Sequence, residues 1–312
     1  MVNTTYRKRG TLASYTLSLP GSMVYLLLGS AVVGRKQGRD ITQLIRRHPL
    51  VTLFVLAYTL TWAIQIPRAA GLLEGEGWRL VTYAPAIAAL LAAALTGGRP
   101  AVRELGERLV RWRVGWQWYV VVLLGPAAFS LSVAGLYALL PGGSFSAALP
   151  PALTEEPLVM LPVLFLYLTL TDGLGEEPAW RGFALPRLLA RHNALVASLI
   201  LGVLWALWHL PLLWMEGATR YQEPIWPILV DNTAKSVIFT WVFLHTRGSL
   251  LMSILFHGAT NLFQVSPGPT SPGDFTLPLL AAGAKWLLVV VLVVVVGPNL
   301  ARGPHPEALP KV

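Results

Sequence analysis

The apolar residues of this chain come in runs too long for a water-soluble fold. Stretches such as 50–66, 116–140, 195–214 and 286–296 carry almost no charge. A helix needs about 20 mostly apolar residues to cross a bilayer. Charged residues make up only 12% of the 312 positions and hydrophobic ones 54%, whereas a soluble domain carries roughly 25% charged residues. A chain this poor in charge cannot cover a water-facing surface. Disorder, collagen, coiled coil and a soluble enzyme are excluded together. The expected fold class is all-α, a polytopic transmembrane helical bundle of eight or nine spans.

The runs place spans near residues 17–33, 49–66, 80–95, 116–140, 158–174, 194–215, 225–245, 249–265 and 277–296. Basic residues orient them, because cytoplasmic loops are enriched in Lys and Arg. Arg35, Lys36, Arg39, Arg46 and Arg47, the group from Arg99 to Arg113, then Arg181, Arg187 and Arg191, and finally Arg247 alternate onto one side, with Arg302 and Lys311 after the last run. Glu74, Glu76, Glu155, Glu156, Glu216, Glu223 and Asp274 fall on the other. The basic side is expected to be cytoplasmic. Arg7-Lys8-Arg9 breaks this pattern if the first run crosses. The formal net charge of +9 is thus read as topology and headgroup contact, not as nucleic-acid binding. The absence of cysteine removes disulfides and thiolate chemistry.

Ionisable groups inside spans are costly enough to be functional candidates. One cluster is Gly175-Glu176-Glu177-Pro178-Ala179-Trp180-Arg181. Adjacent helical residues point about 100° apart, so the two carboxylates face different ways. Glu177 and Arg181 are four apart and can pair, which leaves Glu176 for other work. Pro178 suits the first turn of a helix, with Gly173 and Gly175 breaking the chain before it. Further on, His209 lies in an apolar run one turn after Trp205, and His257 shares a helical face with Asn261. Taken singly, each histidine is as well read as an interhelical hydrogen-bonding group. Together, a carboxylate, two imidazoles and an amide are what water activation needs: a general base, and groups that bind a metal or stabilise an oxyanion. Asp231 and Lys235, also four apart, read as a self-neutralising pair, and Lys285 as a snorkelling residue or the partner of a bundle carboxylate.

The ordered set resembles the CPBP intramembrane proteases, the group of CAAX-prenyl endopeptidases and bacteriocin-processing (Abi) proteins. The motifs carrying it are Glu176-Glu177-x-x-x-Arg181, Trp205-x-x-x-His209 and His257-x-x-x-Asn261, within residues 158–263, with Arg247-Gly248-Ser249-Leu250 before the last. Trp205 stands where the family more often has Phe. The resemblance implies an endopeptidase acting on a membrane-associated substrate, with Glu176 activating water beside His209. His257 and Asn261 would stabilise the oxyanion or complete a metal site, and Arg181 would act structurally through Glu177. The family is commonly termed metalloprotease. A catalytic zinc takes three protein ligands, and His209, His257 and a glutamate would supply them only by removing the free base. HExxH is absent, so Zn2+ stays an open expectation.

Three segments are expected within one integrated membrane domain: N-terminal transmembrane helices over 1–157, a CPBP-like protease core over 158–265, and a last helix with a short tail over 266–312. The expected partners are the lipid bilayer and a membrane-associated peptide or protein, and the expected site is the cell membrane. A catalytically silent scaffold or bacteriocin-immunity protein of the same family would usually lack a motif residue, and none is missing. A transporter would more often show matched broken helices or repeats.

Overall fold

The computed structural model describes residues 2–8, 11–17, 41–218, 220–265 and 275–301. They fall in two units, Met1–His48 and Pro49–Val312. In the first, β1 (Val2–Lys8) pairs antiparallel with β2 (Thr11–Leu17), Val2 opposite Leu17 and Lys8 opposite Thr11. The apolar run read as a first span, 17–33, lies outside the described residues beyond Leu17. The 266–274 loop with Asp274, and Arg35, Lys36, Arg39, Arg302 and Lys311, lie outside them too.

The second unit is a helical bundle, as the apolar runs require. Its helices are α1 (Pro49–Ala69), α2 (Ala84–Leu109), α3 (Trp116–Ala138), α4 (Leu158–Leu189), α5 (Ala194–Trp208), α6 (Ile225–His245), α7 (Leu250–Leu262) and α8 (Thr276–Val296). Five of them, α1 to α4 and α8, are long and apolar enough to cross a membrane. The α5 and α7 helices, with 15 and 13 residues, reach only about 20–22 Å at 1.5 Å per residue. The α6 helix has the length but carries Asp231 and Lys235. Side-chain caps start both short helices: Asn193 accepts from the Val196 amide at 2.9 Å, and Ser249 from that of Met252 at 3.2 Å. A cap of this kind contributes about 1 kcal/mol.

Two boundaries differ from the sequence reading. The fifth run does not stop at residue 174, and Pro178 does not begin a helix. The chain stays helical from Leu158 to Leu189, with π-turns over Thr169–Gly173 and Pro178–Ala184. Proline lacks an N–H and its ring crowds the carbonyl four residues earlier. The wider i→i+5 turn accommodates both effects within the helix. Gly173 and Gly175 are accordingly packing residues, not breaks. A Cβ on Gly173 would sit 2.6 Å from the Ile254 carbonyl oxygen of α7, so α4 and α7 touch backbone to backbone there. Small residues of this kind let membrane helices approach closely. The second difference is in α5, which ends at Trp208; His209 is its C-cap, followed by a 3₁₀ turn over Leu210–Leu213 that contains Pro211.

Polar contacts tie the helices. Tyr58 Oη of α1 donates to the Leu204 carbonyl of α5 at 2.5 Å, and Trp208 Nε1 to Thr61 Oγ1 at 2.9 Å. Lys285 of α8 pairs with Asp231 of α6 at 2.7 Å, in place of snorkelling, and Asp231 also pairs with Lys235 at 2.7 Å.

The two ends of the bundle differ in charge. Arg111 Nη1 donates to the Arg247 carbonyl and Arg247 Nη2 to that of Arg113. Ser249 Oγ donates to the Arg111 carbonyl at 2.6 Å. The α2–α3 and α6–α7 connections therefore meet at one arginine-rich end, where α4 also finishes with Arg187. Arg181, grouped with that end in the sequence, is instead fully buried inside α4. Glu74, Glu155, Glu156, Glu216 and Glu223 occupy the connections at the other end with Arg220, and Arg68 lies there in the last turn of α1.

Candidate active site

The longer α4 removes a difficulty of depth. Ending that helix at residue 174 would leave Glu176 at the arginine-rich boundary, far from either histidine. With α4 running to Leu189, Glu176 lies 13 residues, about 20 Å along the axis, from that end. His209 closes α5 at a similar distance from its start, and His257 lies mid-way along α7. All three side chains, with Asn261, line one cavity of about 540 Å³.

Glu176 is 5% exposed. Its Oε2 accepts two indole N–H groups, from Trp180 at 3.0 Å and from Trp205 at 2.6 Å. Trp180 lies four residues on along α4 and Trp205 comes from α5, so one lone-pair oxygen is clamped by two helices. No partner within the described residues engages Oε1, which leaves it for a ligand in the cavity. Glu177, one residue on, points elsewhere and is wholly buried. Its Oε1 accepts from Arg181 Nη1 at 2.9 Å and from His257 Nδ1 at 2.8 Å. The expected Glu177–Arg181 pair is thus present, and the same oxygen also orients an imidazole of α7. The Arg181 guanidinium lies 4.5 Å from the Trp205 ring centroid and 4.3 Å from that of Phe239. These ring faces stand where its Nε and Nη2 find no acceptor.

The backbone assigns the tautomer of His209. Nδ1 lies 2.9 Å from the Trp205 carbonyl oxygen, which only accepts, so Nδ1 carries a proton and Nε2 is left for the cavity. Trp205 therefore serves the site twice, its indole holding Glu176 and its carbonyl holding His209. Asn261 has a partner of its own. It does not orient His257, which Glu177 holds; its Nδ2 donates to Asp172 Oδ2 at 2.9 Å. Asp172 lines the cavity too and was missed in the sequence, although it lies four residues before Glu176 and so shares its helical face. Trp180 was readable by the same spacing. Asn232, Lys235 and Arg220, also on the cavity wall, had no local signal linking them to Glu176.

Zinc has no preformed three-ligand group among the described residues. Glu176 Oε2 is filled by indoles and both Nδ1 atoms are engaged, a pattern that metal-ligating histidines also show. The arrangement instead offers a carboxylate oxygen, two imidazole Nε2 atoms and an amide around a single void.

The cavity walls come from α4 to α7, from Gln65 of α1 and from connections at the acidic end, including Thr82, Glu155, Glu156 and Ala218. No residue of the Arg99–Arg113 region or of the α6–α7 turn lines it.

Residues 158–263 match the family model described as type II CAAX prenyl endopeptidase Rce1-like. The chain is also 34% identical over 151 residues to a CAAX prenyl protease 2 of Methanococcus maripaludis (strain S2), covering 46% of this chain and 54% of the relative. It therefore spans about half the length of the curated relative it matches.

Proposed function

We propose that this chain is an intramembrane endopeptidase of the CPBP/CAAX protease type that hydrolyses a peptide bond of a membrane-associated substrate, a reading supported by the match of its 158–263 segment to the Rce1-like family model. The observation that carries the proposal is the clamped Glu176 carboxylate, with Oε1 turned to a cavity that it shares with His209, His257 and Asn261.

The reaction follows from those groups. Glu176 Oε1 accepts a proton from a water that His209 Nε2 helps to hold, and the resulting hydroxide attacks the scissile carbonyl carbon. Negative charge then develops on the carbonyl oxygen. The second N–H of the Asn261 amide, and Nε2–H of His257 when that ring is protonated, are donors for it. The proton on Glu176 passes to the departing nitrogen, the C–N bond breaks, and an acid and an amine leave. Two indoles fix Glu176 before substrate arrives, so it needs no reorganisation. Arg181 and Glu177 act by holding His257 and are positioning residues. No step of this scheme passes through a metal; were zinc bound, Glu176 Oε1 and the Nε2 atoms of His209 and His257 would hold it, and Glu176 would no longer be a free base.

The relative's name directs the choice of substrate to a prenylated CAAX-type peptide. The test is cleavage of an S-farnesyl peptide by purified protein, followed by mass spectrometry. Wild-type protein is expected to cleave it, with and without a zinc chelator, and Glu176→Gln to leave it intact. Undiminished cleavage by Glu176→Gln would remove Glu176 from the reaction. Loss of activity with chelator, restored by zinc, would replace the metal-free mechanism.

A further inference from the structure

More carboxylates face the cavity than the hydrolytic reaction uses. Its charged lining is Glu155, Glu156, Asp172, Glu176, Arg220 and Lys235. Both cations are held by carboxylates that do not line it, Arg220 by Glu223 at 3.2 Å and Lys235 by Asp231 at 2.7 Å. Asp231 also holds Lys285, so that trio keeps one positive charge, enough to answer one lining carboxylate. His257 answers a second when protonated, since Arg181 already neutralises the Glu177 that holds the ring. Acids are still left over. Glu155 and Glu156 are exposed, and solvent and salt screen them. Asp172 stands within α4, and its partner is the neutral Asn261 amide, at 2.9 Å from Oδ2. Oδ1 has no partner among the described residues. A carboxylate inside a bundle with no cation beside it is costly. The α1 wall holds a second unmet acceptor. Gln65 is 3% exposed and lines the same cavity, and its Oε1 is buried with no hydrogen-bond partner. An acceptor buried unpaired costs stability as well. A positively charged group rich in N–H donors answers both.

We infer that Asp172 seats a basic side chain of the substrate, lysine or arginine, in a subsite to which Gln65 adds a neutral acceptor and Glu155 and Glu156 the approach. Ammonium and guanidinium groups carry donors and no acceptor, and their hydrogen bonds to a carboxylate are the strong kind. Asp172 lies four residues, about 6 Å along α4, from Glu176 on the same helical face and nearer the acidic end. An extended chain advances about 3.3 Å per residue, so the basic residue falls about two residues from the cleaved bond. The two exposed glutamates give the entrance a negative field that draws a cation inward. This assignment rests on the protease reading and adds to it the side chain preferred beside the cleaved bond.

The experiment is a charge scan of an S-farnesyl peptide, acetylated at its N-terminus so that a side chain is its only cation. Lysine, norleucine or glutamate is placed at each position in turn. Cleavage is read as kcat/KM on purified protein, and binding on the same proteins carrying Glu176→Gln. A charge-assisted hydrogen bond is worth about tenfold or more in affinity. Wild-type protein is therefore expected to favour lysine over norleucine at least tenfold at one or two adjacent positions near the cleaved bond, and to disfavour glutamate there. Asp172→Asn keeps an oxygen for Asn261 but removes the charge. It is expected to bring the lysine-to-norleucine ratio to about one whatever the overall rate, a ratio that a merely structural loss does not move. Gln65→Leu is expected to lower the same ratio about threefold. An equal gain from lysine at every position would be long-range attraction alone and would overturn the subsite, as would a preference surviving Asp172→Asn. A preference lost only in the Glu155→Gln/Glu156→Gln double variant would move the cation to the entrance and overturn Asp172 as its seat. Lysine-selective binding without cleavage of any peptide would remove the protease reading and leave the subsite standing. Cleavage and binding indifferent to all three side chains would do the reverse.

Discussion

At the residue scale, two adjacent glutamates have opposite work because a helix turns them apart. Glu176 accepts from two indoles, and a glutamine there keeps an oxygen for them, so Glu176→Gln should melt within a few degrees of wild type while losing cleavage. Glu177 neutralises a fully buried guanidinium and holds His257. Breaking a buried pair by removing one charge costs about 3–5 kcal/mol. Glu177→Gln and Arg181→Gln should both lower the melting temperature and activity together, measured as thermal unfolding in detergent beside turnover. A stable, inactive Glu177→Gln beside an active Glu176→Gln would exchange the two roles. Trp205→Phe preserves the ring against Arg181 and Phe239 but deletes the shorter N–H bond to Glu176. Hydrogen bonds to charged groups are worth about 1.5–3 kcal/mol, so its kcat should fall roughly tenfold to a hundredfold with the fold retained. Pairing at a spacing of four made Glu177–Arg181 legible in the sequence. The same spacing also contained Trp180 and Asp172, but Glu176 had to be known as the centre before they stood out.

At the scale of elements, the site depends on how closely α4, α5, α6 and α7 approach. A Cβ on Gly202 of α5 would sit 2.6 Å from Thr233 Cα of α6, where the obstacle is backbone and has nowhere to move. Overpacking of this sort costs about 1–3 kcal/mol. Gly202→Val should lower the melting temperature in detergent and reduce activity by separating Trp205 from the α6 wall. Gly106→Ala is the control. A Cβ there meets nothing within 4 Å, and alanine is favoured over glycine in a helix by about 1 kcal/mol, so its melting temperature should hold or rise. Equal losses in the two variants would refute the packing argument. Helix positions were largely legible, because an apolar run in a membrane has few alternatives to a helix. The continuation of α4 through Pro178 was not. A proline after two glycines signals a boundary locally, and packing against α2 and α7 surrounds the chain where it stays helical.

At the scale of the whole molecule, charge and cavity point in opposite directions. The arginine-rich end should lie in the cytoplasm, and the cavity draws its connections from the acidic end. Substrates are therefore expected to reach Glu176 from the extracytoplasmic side. Because the chain lacks cysteine, single reporters test this directly. Glu156→Cys should react with a membrane-impermeant maleimide in intact cells, and Arg191→Cys only after lysis. The reverse pattern would turn the mouth of the cavity toward the cytoplasm.

Long apolar runs, scarce charge and basic clusters determined, without any coordinates, that this chain is a helical membrane bundle with most of its spans in place. Ordered motifs likewise singled out Glu176, His209, His257 and Asn261, since each is a polar residue where apolar ones are cheaper. Tertiary structure alone decided which groups those residues engage. The Glu177–His257, Trp205–Glu176 and Asp172–Asn261 contacts join residues 80, 29 and 89 positions apart, and no local periodicity encodes them. It also decided the depth of Glu176, because a π-turn absorbs Pro178 only where neighbouring helices hold the turn in place.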